Sequence, residues 1–367
     1  MRKEQSPRLW SLQNGLQLLV QEDRRFPLAV MRMYVRAGSA LELEGEEGAS
    51  HLLEHMAFKG AGSASGPASE IESLGGRMNA ATGFEYTVYM LDMPASAWSK
   101  GMQALHGLCF QADWQEPELE TEKEVVVSEL QRNRDNPGRV LFEGLQSLVW
   151  SGTPYSRSIG GREETVQGMG RQQLLDYVRR LYQPQSMLLV VCGDVDPEEV
   201  LREADRLFSG YMNDRSLETD SPQPAFPAEE GPLVQVTPTS WDRAYVGIGF
   251  LLPGMAEGDA QAVEILGYLL GGDESSRLIR RFKHEQALVD EISASPIMLR
   301  GIGMFLVQAY LDPDRVQEFV SQCFRELIGL EADSFSEEEV ERAKLNIQDS
   351  LFQTRETLSG LASKLGH

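Results

Sequence analysis

Residues 46–60 read EEGASHLLEHMAFKG, and the spacing of His51, Glu54 and His55 within them decides how the rest of the chain is read. The stretch predicts a helix opened by Ser50 and closed by Gly60, an ordinary cap pairing. At about 3.6 residues per turn, positions 51, 54 and 55 share one face, so both imidazoles can converge on one ion with Glu54 beside it. Neutral imidazole is a good donor to zinc, and a catalytic zinc takes three protein ligands and leaves its fourth place to water.

The third ligand has to come from elsewhere. Residues 118–134, ELETEKEVVVSELQRNR, form a charged amphipathic helix carrying Glu118, Glu120, Glu122, Glu124 and Glu129. Glu122 and Glu129 stand seven residues apart, nearly two turns, and so share a stripe with Val125 and Val126, whereas Glu124 points away. A carboxylate on a core-facing stripe needs a partner, and a metal ion supplies one. Glu129 is therefore the expected ligand and Glu122 the supporting acid that orients the site. H-x-x-E-H is the inverted form of the zinc-peptidase motif. It predicts hydrolysis, with Glu54 as general base toward a water and then as proton donor to the leaving amine.

The remaining sequence sets the frame. The chain has 367 residues, 41% hydrophobic and 25% charged, the balance of a globular protein long enough for two domains. Apolar runs such as residues 187–192 are far too short to span a bilayer. A net charge of −22 argues against nucleic acid and favours basic partners. Residues 1–20 lack the apolar stretch of roughly 7 to 15 residues of a secretory leader, so a cytoplasmic protein is expected, or a periplasmic one whose leader has been removed. Cys109, Cys192 and Cys323 lie far apart in apolar segments and read as buried thiols. His106 and His284 read as ordinary helix residues, and Arg77 and Glu85 as structural ones.

Residues 217–233, LETDSPQPAFPAEEGPL, form the best linker. Before it, strand-like runs at 16–21, 30–36, 86–92 and 188–191 alternate with longer helical patterns, which predicts an α+β fold of helices on a mixed, mainly antiparallel sheet. After it the plan repeats: YMLDMP (89–94) is echoed by QAYLDP (308–313), and the helix of Glu129 by that of Ser350. The offset drifts only from 212 (Val263 against His51) to 221 (Ser350 against Glu129). Two homologous domains follow, 1–216 with the zinc site and 234–367 without it, because Val263, Leu266, Gly267 and Ser350 replace His51, Glu54, His55 and Glu129. At offset 221 the second copy is expected to fall short of its closing strand, by roughly 65 residues.

With these motifs in place the chain resembles the pitrilysin or insulinase family of zinc metallopeptidases, and most its bacterial branch similar to the mitochondrial processing peptidase subunits. The likeness is carried by residues 48–60, by LGGRMNAATGFEYTVYML (74–91), EKEVVVSELQ (122–131), TPYSRSIGG (153–161), VVCGDVDPEEV (190–200) and LLGGDESSRLIRRF (269–282). The resemblance implies zinc on His51, His55 and Glu129, Glu54 as base, Glu122 as supporting acid, and an edge strand at Asn79 and Ala80 to which extended substrate adds by backbone pairing. It also implies a closable chamber made by two such chains, as a homodimer or a heterodimer with a related subunit. One departure stands out. Where relatives read R-G-L-x-Y, this chain has Gln286-Ala287-Leu288-Val289-Asp290, so the tyrosine that reaches the active site from a second half or partner is absent. A zinc endopeptidase of short or unfolded peptides is the leading expectation. A regulatory subunit of a two-chain peptidase and a zinc-dependent small-molecule hydrolase or lyase are the alternatives.

Overall fold

The computed structural model describes residues 6–59, 66–111, 114–212, 232–255, 259–331 and 333–367. The strands are β1 (Arg8–Ser11), β2 (Gln17–Glu22), β3 (Leu28–Val35), β4 (Arg77–Thr82), β5 (Thr87–Pro94), β6 (Met187–Gly193), β7 (Ala244–Pro253), β8 (Glu291–Met298) and β9 (Ile302–Leu311). The helices are α1 (Ala49–Ala57), α2 (Gly66–Ser73), α3 (Trp98–Phe110), α4 (Glu116–Asn133), α5 (Pro137–Val149), α6 (Glu163–Gly168), α7 (Arg171–Leu181), α8 (Pro197–Phe208), α9 (Ala260–Gly271), α10 (Val316–Ile328), α11 (Glu337–Glu356) and α12 (Leu358–Gly366). The fold is α+β.

Contacts divide the chain into two units. The first holds Met1–Gln131, Arg157–Thr219 and Phe352–His367, and the second Arg132–Ser156 and Asp220–Leu351. In the first, a sheet runs β1-β2-β6-β3-β5-β4, antiparallel except for the parallel pair β2 and β6. Its central strand β3 is apolar on both faces, as a strand covered on both sides has to be. Ala29, Met31, Met33 and Val35 enter the main core under α1, α3, α7 and α8, while Val30 and Tyr34 face the other way with Val88, Val190 and Cys192. Arg32 lies on that second face and is buried. It is tolerable there because it pairs with Asp92 at 2.7 Å, whose other oxygen accepts the Ser359 hydroxyl at 2.6 Å.

The second unit has a sheet of order β7-β9-β8, antiparallel throughout. Its core gathers Ile248, Leu270, Phe282, Val307 and Phe319.

The division expected from the sequence, 1–216 and 234–367 about a linker at 217–233, has a single cut. The packing differs from it at two helices, and all of that linker but residues 232 and 233 lies outside the described residues. Helix α5 lies on β7 of the second unit, where Gly247 and Gly249 leave no room for a side chain beside Leu145 and Val149. Helix α12 lies on the first sheet, where Leu358 and Ala362 close the second face and Gly366 meets Tyr34. Pro137 and Leu358, the first residues of these helices, are 221 apart, the offset that also relates Glu129 to Ser350. The two copies have thus exchanged the same element: each sheet is covered by the helix of the other half of the sequence.

The start of α1 differs from the expected cap. Ser50 is buried inside the helix, and Gly48, at φ 96°, is the residue that turns the chain into it. The orphan donors of the first turn go to a distant carboxylate instead. Glu42 accepts the N–H of Gly48 at 3.0 Å, and its other oxygen accepts the N–H and hydroxyl of Ser50 at 2.9 and 2.7 Å. A side-chain hydroxyl cannot approach Gly48 for the same purpose, because the Gly160 carbonyl and Val166 crowd that position. The expected stop at Gly60 lies outside the described residues. Glu42→Ala leaves three buried donors short of an acceptor and should cost about 2–4 kcal/mol in urea unfolding. A loss under about 0.5 kcal/mol would show that water replaces the carboxylate without penalty.

Candidate metal centre

Helix α1 presents His51, Glu54 and His55 on one face, and α4 brings Glu122 and Glu129 toward it. The His51 and His55 rings stand 4.8 Å apart at 77° to one another. Their Nε2 atoms lie 3.8 and 3.5 Å from Oε2 of Glu129. Bonds of about 2.0–2.1 Å to a tetrahedral ion separate neighbouring ligand atoms by about 3.3 Å, so these distances suit one metal. Among the described residues this is the group of histidine, cysteine or acidic side chains that could hold an ion, its ligand atoms all within 4.8 Å of one another.

Glu122 decides which histidine nitrogen is available. Its Oε1 lies 2.9 Å from Nδ1 of His55, and an ionised carboxylate can only accept, so Nδ1 carries a proton and Nε2 is the nitrogen directed toward Glu129 that can donate to a metal. Burial opposes the charge on Glu122, but the bonds from His55 and Lys59 outweigh it and hold the carboxyl below its ordinary range. Lys59 reaches its other oxygen at 3.2 Å.

Glu54 is different. Burial pushes its carboxyl above the ordinary range, against the lowering effect of the Thr82 hydroxyl, which donates to its Oε2. A carboxylate raised toward neutrality is a better acceptor of a proton from water than an unperturbed one. Thr82 ends β4, an edge strand, and the same strand carries Asn79 and Ala80. Asn79 Oδ1 accepts the N–H of Ala80 at 2.9 Å.

All five residues expected at the metal and its base therefore meet in one cluster, and Asn79 and Ala80 lie on the strand that touches it. Sequence reasoning missed Lys59 and Thr82. Both lie inside motifs already singled out, but nothing along the chain says that a residue at the end of β4 reaches a side chain on α1. Outside the site, His106 packs among Phe110, Phe208 and Tyr211, and His284 pairs with Glu274 at 2.7 Å. The three cysteines are free and buried.

Among the described residues the second copy has no counterpart. Val263 and Leu266 on α9 pack against the apolar core of their own unit, and Gly267 sits against Pro296. At the departure near residue 287, Ala287 holds φ 48°, the left-handed region that suits the glycine of R-G-L-x-Y. Asp290, in the place of its tyrosine, pairs with Arg243 at 3.3 Å.

Two family models match the chain. The family model described as Insulinase (Peptidase family M16) matches residues 18–163, and that of the Peptidase M16 inactive domain matches residues 168–347. An uncharacterized zinc protease of Rickettsia bellii is 26% identical over 358 residues, which cover 97% of this chain and 85% of that protein. Cytochrome b-c1 complex subunit 1 of Bos taurus is 28% identical over 263 residues, 71% of this chain and 54% of its own length. The crystal structure of a protease from Helicobacter pylori shares the fold, with a TM-score of 0.87 at 23% identity over 98% of this chain and 88% of that one. Two models of one family, end to end over most of the sequence, place this chain in peptidase family M16, the insulinase family.

Proposed function

We propose that the chain is a zinc endopeptidase that hydrolyses short or unfolded peptides. The observation that carries this reading is the meeting of three convergent ligand atoms, from His51, His55 and Glu129, with a half-buried carboxylate, Glu54, that is not among them. Zinc held there supplies a Lewis acid that acidifies water and polarises the scissile carbonyl. The chain's own residues do the rest. Glu54 takes the proton of the attacking water and returns it to the leaving amine, while Glu122 keeps His55 in the tautomer and orientation that donates from Nε2.

Substrate binding belongs to β4. Its open edge offers backbone groups to an extended peptide at Asn79 and Ala80, a mode that favours unfolded segments because a folded protein has its strands already paired. The net charge of −22 favours basic peptides. A dimer, with a second copy or a related subunit, would enclose such a peptide.

A second reading rests on Asp290. The residue engages Arg243 where relatives carry the tyrosine that completes the site, and one relative is named cytochrome b-c1 complex subunit 1. In this reading the chain is the regulatory member of a pair. Hydrolysis of a mixed peptide pool by the zinc-loaded chain alone, stopped by chelator, separates the two.

Two substitutions test the site itself. Glu129→Ala should bring bound zinc from near one per chain to a small fraction of that, measured on the dialysed protein, since it removes one of three ligands. Full retention of zinc would move the third ligand elsewhere on α4. Glu54→Gln should keep its zinc and lose about 10³-fold or more in kcat, because the amide preserves the shape and cannot accept a proton. Near wild-type turnover in that variant would remove Glu54 from the chemistry.

A further inference from the structure

We propose that Thr82 is a positioning residue: it locks one oxygen of the Glu54 carboxylate to the end of the substrate strand, so that the other oxygen faces the attacking water at the point where peptide pairing stops. The inference rests on the reading of Glu54 as the general base and of β4 as the substrate edge.

Thr82 is the last residue of β4 and pairs across the strand with Thr87 of β5. Its Oγ1 donates to Oε2 of Glu54 at 2.5 Å. Amide groups along a strand alternate in direction, so the N–H groups of Ala80 and Thr82 point the same way. The first is not spent on the ladder to β5: the Asn79 side chain takes it up. With β5 on one side of β4, both donors belong to the open edge.

The geometry then fixes a register. A peptide that pairs along β4 can claim the Ala80 donor by displacing the Asn79 amide, a neutral group on a free side chain. Two residues on, the strand ends at Thr82, whose hydroxyl is already held by Glu54. Pairing therefore ends at Thr82, and the next peptide bond lies against Glu54.

A threonine suits this role. Glutamate has three rotatable side-chain bonds and would sample many orientations if held only by its own helix. The branched Cβ of threonine restricts its χ1, so the hydroxyl is presented from one direction. Serine keeps the donor with less restriction, and valine keeps the shape without the donor.

The test compares Thr82→Val and Thr82→Ser in the full zinc-loaded chain, with kcat and KM on a peptide substrate, zinc content, and the carboxylate infrared band of the metal-free protein, identified by its loss in Glu54→Gln. Thr82→Val should lower kcat by about 10- to 100-fold with KM within about twofold and zinc content unchanged, the scale of a displaced catalytic group. Thr82→Ser should recover kcat to within about fivefold of wild type. The Glu54 band should shift in the valine variant and return in the serine variant. Unchanged kcat and band in Thr82→Val overturn the proposal, and so does a serine variant as impaired as the valine one, which would show a packing role instead. A wild-type chain that cleaves no peptide counts against the peptidase reading alone; the infrared band still decides whether Thr82 holds Glu54.

Discussion

The proposed metal centre requires three ligand atoms on two helices to lie within one coordination radius, and His51, His55 and Glu129 of the first unit meet that requirement. A single helical turn can bring His51 and His55 together, because positions four apart share a face. It cannot supply the third ligand, so α1 and α4 have to be held in a fixed mutual register. Two carboxylates do this. Glu42 anchors the first turn of α1 through Gly48 and Ser50, immediately before His51, and Glu122 bridges α4 to His55 while Lys59 bonds its other oxygen. Both carboxylates are buried, and a buried carboxylate without such donors would destabilise the fold rather than order it.

The same sheet plan in the second unit shows what that constraint costs when it is relaxed. With Val263, Leu266 and Gly267 at the positions of the metal face, α9 seals an apolar core. One copy keeps the polar machinery and the other the ordinary packing. Their link survives in the exchanged helices α5 and α12, which cover each other's parent sheets.

What could be read along the chain follows the range of each interaction. The relations of His51 to His55 and of Glu122 to Glu129 were legible because helical period fixes them locally, and the repeat was legible because its offset is nearly constant. The strand at Asn79 came from family resemblance, since residues 77–82 are too polar to declare themselves by alternation. The start of α1 was misjudged at Ser50, where a serine at the right place suggested a cap. The acceptor that satisfies the helix comes from Glu42, eight residues away around a loop. Thr82 and the helix exchange are tertiary facts. No local pattern distinguishes a threonine that grips Glu54 from one that ends a strand, or a helix that covers its own sheet from one that covers another.

The central claim is that one metal ion is held by two imidazoles and a carboxylate. X-ray absorption of the zinc-loaded protein at the zinc edge tests it most directly. The account predicts nitrogen and oxygen neighbours at about 2.0–2.2 Å with the multiple scattering of two imidazole rings and no sulfur. A sulfur shell at about 2.3 Å, which Cys109, Cys192 or Cys323 would have to supply, or scattering without imidazole, would contradict it.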